Sequence, residues 1–71
     1  MAGNPRILVV DQDFESRADL QKGLVRAQFI VVGGVGYGAE ALSLASELKP
    51  SAILVGVEEP PARALQTIES L

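Results

Sequence analysis

Three aliphatic runs, Ile7-Leu8-Val9-Val10, Phe29-Ile30-Val31-Val32 and Ala52-Ile53-Leu54-Val55-Gly56-Val57, recur along the chain, and a stretch of helical periodicity follows each one. This is the feature that most narrows the choice of fold. The first run is wholly apolar, largely β-branched, and stops at Asp11. A strand with one wet face alternates apolar and polar residues, whereas an uninterrupted run reads as a strand covered on both faces, as in a parallel sheet. The spacing predicts helices between the runs. Asp13 is placed to N-cap the first, on which Phe14, Ala18, Leu20, Leu24 and Ala27 form the expected apolar face. Gly23 falls within that helix, where it costs about 1 kcal/mol relative to alanine and would permit close packing on the sheet. The second helix is expected from about Ala39 to Leu48 and ends at Lys49-Pro50, because the residue before a proline disfavours the α region. Pro61 or Ala62 opens the third, with Ala64, Leu65, Ile68 and Leu71 as its apolar face. The βαβαβα order with short connections predicts an α/β fold: an open parallel sheet, right-handed crossovers and helices on both faces.

The size permits one domain at most. Seventy-one residues support a single core with a margin of roughly 3–5 kcal/mol. With 48% apolar residues and few aromatics, that core must be built from Val, Ile, Leu and Ala. The absence of cysteine and histidine excludes a disulfide framework, thiolate chemistry, and the commonest general base and transition-metal ligand. The net charge is −3, and the six cations are scattered, so no basic stripe tracks a nucleic-acid backbone. No apolar run approaches a membrane span, and a cytoplasmic location is the default expectation. The apolar phase of the third helix is still running at Leu71, which has the look of a domain, residues 1–71, cut after its third helix.

Arg6-Ile7-Leu8-Val9-Val10-Asp11-Gln12-Asp13, with Arg17, Leu20 and Leu24 behind it, resembles the opening of a response-regulator receiver domain. Val32-Gly33 and Gly38-Ala39-Glu40-Ala41-Leu42 are similar to that family's second strand and second helix. Leu48-Lys49-Pro50-Ser51-Ala52-Ile53-Leu54-Val55 is similar to its entry into the third strand. The resemblance implies a flavodoxin-like receiver fold of CheY type, here a (βα)3 portion with strand order 2-1-3. Glu58-Glu59-Pro60 followed by Ala62-Arg63-Ala64-Leu65 also resembles the degenerate receivers at the N-terminus of ParA/MinD-like ATPases associated with pilus assembly.

Receivers hold Mg²⁺ with acids at the end of the first strand and accept a phosphoryl group on an aspartate at the end of the third. The metal offsets charge on the phosphoryl oxygens and the carboxylate is the nucleophile. Carried over position by position, Asp11 matches the first acid. Gln12 stands where the second acid is expected, and a neutral amide is a poorer ligand for a hard cation. The phosphoacceptor position, four residues before Pro60, is Gly56, which has no side chain to phosphorylate. The expectation is therefore a pseudo-receiver without enzymatic activity or bound cofactor, acting through a protein partner or an attached effector domain, with a homodimer as a further option.

Several residues carry two readings. Asp11 is either a remnant of the acidic pocket with Gln12 and Asp13, or a strand terminator bonded to a nearby amide. Glu58 and Glu59 either form a solvated acidic turn, or one of them, with Asp11, holds Mg²⁺ or serves as a displaced phosphoacceptor. Arg17 is a signalling contact or an exposed helical charge. Gly34-Val35-Gly36-Tyr37-Gly38-Ala39, the heart of a loop expected from Gly33 to Gly38, matches G-x-G-x-x-A. Such a loop either lets backbone amides reach the pyrophosphate of NAD or ATP, or is an ordinary glycine-rich βα connection.

Overall fold

The computed structural model describes residues 4–71. Its elements follow the expected order: β1 (Arg6–Asp11), α1 (Phe14–Arg26), β2 (Ile30–Val35), α2 (Ala39–Leu48), β3 (Ala52–Gly56) and α3 (Ala62–Ser70). The sheet has order β2-β1-β3, and both pairings are parallel. This is the open α/β sheet and the 2-1-3 order that the sequence pattern and the receiver resemblance imply. With α1 over β1 and β2 on one face and α2 and α3 on the other, β1 is covered on both sides. Leu8, Val9 and Val10 are accordingly 0% exposed, which is why this run carries no polar residue. Leu8 and Val10 join Val35 and Ala41 in the core, with Ile53, Val55, Leu44 and Leu48 packed around them.

The second strand corrects the expected boundary. Gly33 and Gly34 belong to β2, which continues to Val35, so the loop is confined to Gly36–Gly38. Pairing with β1 slips by one residue between Ile7 and Leu8, so that Leu8 faces Gly33 rather than Val32. A β-carbon at Gly33 would stand 3.2 Å from Leu8 Cδ1 and 3.5 Å from Leu48 Cδ1. Glycine here marks close approach within a bulged strand rather than a turn.

The helices also depart from their expected faces. On α1, Ala18, Leu20 and Leu24 are half-buried, but Ala27 is exposed and Phe14 is 71% exposed, its ring lying 5.6 Å from the Arg17 guanidinium carbon. Gly23 does not serve close packing, since a β-carbon there would meet nothing within 4 Å. On α3 the residues turned inward are Ala64 and Thr67, whereas Leu65, Ile68 and Leu71 are 49%, 42% and 45% exposed. Thr67 is tolerated inside because its hydroxyl donates to the Arg63 carbonyl at 3.0 Å.

Helix ends are closed by identifiable groups. Asp13 caps α1 by accepting from Ser16 N at 3.2 Å, as its position predicts. The end of α2 is closed from a distance: Arg6 donates to the Leu48 carbonyl at 2.8 Å and to the Lys49 carbonyl at 3.1 Å. Those carbonyls have no partner within the helix, and a cation at a helix C-terminus is favourable. Gly38 starts α2 at φ 99°, ψ −150°, a region essentially restricted to glycine. Gly38→Ala is therefore expected to lower stability by about 1–3 kcal/mol, read as a fall in the urea midpoint. Space is open around that position, so the loss would be a backbone effect and not a clash.

Candidate functional site at the carboxyl ends of β1 and β3

Open α/β sheets place their sites beyond the carboxyl ends of the strands. Here Asp11 ends β1, Gly56 ends β3, and the two are direct partners across the parallel pair. Asp11, Asp13, Ser16, Gly56, Val57 and Glu58 line a cavity of about 260 Å³ at this end. The receiver-like positions therefore meet in space, although 45 residues separate them in the chain.

Asp11 is 4% exposed, and a buried carboxylate requires donors. It has them: Oδ1 accepts from Asp13 N at 3.0 Å and Oδ2 from the Ser16 hydroxyl at 2.6 Å. Arg17 donates to the Asp11 carbonyl at 3.3 Å, so this arginine helps close the strand end as well as lying against Phe14. The Asp11 carboxylate also lies where a side chain at position 56 would begin. A β-carbon on Gly56 would collide with Oδ2 and lie 2.6 Å from Cγ. Missing atoms at position 56 and the seating of Asp11 are thus one packing arrangement.

Gln12 turns away from the cleft, and its amide oxygen accepts from Tyr37 N at 3.0 Å. Tyr37 reaches back over the strand ends, where its hydroxyl donates to the Gly56 carbonyl and accepts from Glu58 N at 3.1 Å. The Arg63 guanidinium carbon lies 6.0 Å from the centre of the same ring, within cation–π range. Sequence reasoning treated Tyr37 as a spacer between glycines and passed over Ser16 altogether. A weak signal existed, since Tyr37 is the chain's single tyrosine and a buried phenol usually seeks a partner. Tyr37→Phe leaves the Gly56 carbonyl and Glu58 amide without this partner. The expected cost is roughly 1–2 kcal/mol, measured by chemical denaturation.

The remaining candidates are dispersed. Gly34 lies within β2, and its α-carbon is covered by the Gln21 side chain, with which a β-carbon would collide. Gly36 faces Gln12, whose Oε1 would stand 2.8 Å from an added β-carbon. Gly38 is the N-cap of α2. Only Gly36 and Gly38 share a loop. Glu58 lines the cleft with Asp11, whereas Glu59 is exposed outside it. Among the described residues, no three acidic, histidine or cysteine side chains gather where they could hold a metal ion. The donor set fits Mg²⁺ poorly as folded, because both Asp11 oxygens are engaged, Asp13 caps α1 and the Gln12 oxygen is bonded to Tyr37. Nor is any helix among the described residues long and apolar enough to cross a membrane.

The chain is similar to known regulatory proteins. The transcriptional regulatory protein PrrA of Mycobacterium tuberculosis, and that of Mycobacterium bovis, are each 38% identical to the chain over 68 residues. The Mycobacterium leprae protein of the same name is 37% identical over the same length. Over those residues the chain is a homologue of these PrrA response regulators. In each case the match covers 96% of the chain and 29% of the relative, so the chain spans less than a third of the relatives' length. No protein-family model and no solved structure matches it. The homology and the β2-β1-β3 sheet agree with the receiver-like character expected of the motifs.

Proposed function

We propose that residues 1–71 form a receiver-like unit of two-component signalling that takes no phosphoryl group and works by contact with a protein partner or an attached effector domain. The observation that carries this reading is the pairing of Gly56 with Asp11. The end of β3 offers no carboxylate, and the neighbouring acid occupies the space one would need. Its own oxygens are spent on Asp13 N and Ser16, so its attack on phosphorus would first cost both hydrogen bonds. The unit carries no cofactor and has no enzymatic activity in this reading. It acts in the cytoplasm, since its relatives are regulatory proteins. Contact with nucleic acid falls outside its role, because its cations are dispersed.

The test is incubation with acetyl phosphate and Mg²⁺ followed by intact-mass measurement. The expected result is an unchanged mass, and a stable phosphoryl adduct would overturn the proposal. One observation favours a second reading, in which a displaced acid accepts the group: Glu58 shares the cleft with Asp11. An adduct lost in Glu58→Gln or Asp11→Asn would establish that alternative and identify the acceptor.

A further inference from the structure

Tyr37, set between Gly36 and Gly38 in the β2–α2 loop, is bonded to the ends of two other elements at once. Its N–H donates to the Gln12 side chain just past β1. Its hydroxyl donates to the Gly56 carbonyl at the end of β3 and accepts from Glu58 N in the turn that follows. The two backbone groups that the hydroxyl joins lie on either side of Val57, so one phenol oxygen sets the course of the chain where β3 turns toward α3. Gly56, Val57 and Glu58 are also one wall of the cleft that Asp11, Asp13 and Ser16 complete. Tyr37 does not line the cleft but is bonded to this wall. The loop that carries it has little else to seat it. A β-carbon at Gly38 would meet nothing within 4 Å, and the nearest atom to one at Gly36 would be Gln12 Oε1. A loop with so few contacts of its own opens at low cost, whereas the Tyr37 ring packs against the core cluster.

We infer that Tyr37 is a clasp that makes the β2–α2 loop and the β3–α3 turn open and close as one unit, so that a contact drawing on either loop releases the wall of the cleft. Gln12 holds the loop side of the clasp, and the Gly56 carbonyl and Glu58 amide hold the turn side. Releasing the phenol leaves both backbone groups without this partner and removes the loop's anchor on the core. The two openings are therefore linked, and the linkage is reciprocal: whatever stabilises one loop in place stabilises the other by the same factor. The Arg63 guanidinium, within cation–π range of the ring, extends the linkage to the first turn of α3. The inference stands apart from the phosphoacceptor reading, which turns on position 56 and not on Tyr37.

The test is amide hydrogen exchange read residue by residue by nuclear magnetic resonance. Glu58 N–H reports on the turn, and Leu8 N–H, in the fully buried part of β1, reports on global unfolding. Tyr37→Phe is expected to speed exchange at Glu58 about tenfold relative to Leu8. The deciding variant is Gln12→Ala, because Gln12 is exposed and is bonded to the loop and not to the turn. It is expected to speed exchange at Glu58 about threefold or more relative to Leu8, an effect that can reach the turn only through Tyr37. Gly36→Ala displaces the same anchor, since its methyl would stand 2.8 Å from Gln12 Oε1, and it should act in the same direction. In the Tyr37→Phe background, Gln12→Ala should add nothing at Glu58. Exchange at Glu58 that is unchanged in both Gln12→Ala and Gly36→Ala would overturn the inference. So would an equal acceleration at Glu58 and Leu8 in those two variants, because the loops would then open only with the whole sheet. Should Tyr37→Phe fail to fold, the two anchor variants decide the question without it.

Discussion

Gly56→Asp is expected to weaken the fold by roughly 2–4 kcal/mol instead of simply restoring a phosphoacceptor. The new β-carbon would collide with the Asp11 carboxylate, so Asp11 must rotate and give up its bonds to Asp13 N and Ser16. It must do so in a buried position, with a second negative charge on the adjoining strand. Two like charges ~4 Å apart repel by about 4 kcal/mol at the effective dielectric typical of such sites; partial exposure of the new carboxylate sets the lower bound. Against a margin of about 3–5 kcal/mol for a chain this size, much of the population would unfold. The measurement is a urea titration followed by circular dichroism. Asp11→Asn in the same background removes the repulsion, and the double-mutant cycle should show a coupling of about 1 kcal/mol or more. A Gly56→Asp protein as stable as the parent would show that Asp11 does not hold that space, and the argument from the strand ends would fail with it.

Leu8→Ala should have the largest effect on folding. Leu8 is fully buried in the central strand, packs in the cluster of Val10, Val35 and Ala41, and approaches the backbone at Gly33. Replacing such a leucine by alanine costs about 3–5 kcal/mol, because transfer free energy is lost and the cavity collapses only in part. Collapse is further limited because the slipped register of β2 and the glycine at position 33 are shaped around this side chain. The expected outcome is loss of the cooperative unfolding transition at 25 °C. Phe14→Ala is the control: its ring is larger but lies on the surface, so its effect should stay within about 0.5–1 kcal/mol.

Most of the element order was legible because it depends on local rules. Buried parallel strands demand runs such as Ile7–Val10, helix starts demand a cap such as Asp13, and Lys49-Pro50 stops α2. The pairing of Asp11 with Gly56 was legible too, through the receiver-like motifs and the proline that counts back to position 56. Misreadings arose where a local rule met a tertiary neighbour. Gly33-Gly34 has turn composition, yet β1 holds it in the sheet because Leu8 and Gln21 need the space above those α-carbons. Leu65 and Ile68 have core composition, yet the inward side of α3 is set by how it meets α2, which selects Ala64 and Thr67. Ser16 and Tyr37 left almost no trace, since a hydroxyl reveals its role only when its partner is located.

By itself, the amino-acid sequence determined which segments are strands and helices, that the sheet is parallel, and that no carboxylate stands at position 56. Those follow from side-chain chemistry and periodicity along the chain. Tertiary structure alone decided that the Asp11 carboxylate fills the vacant position, that Tyr37 ties the β2–α2 loop to the end of β3, and that α3 turns Ala64 and Thr67 inward. Each of these depends on contacts between residues far apart in the chain, where packing and hydrogen-bond satisfaction outweigh local preference.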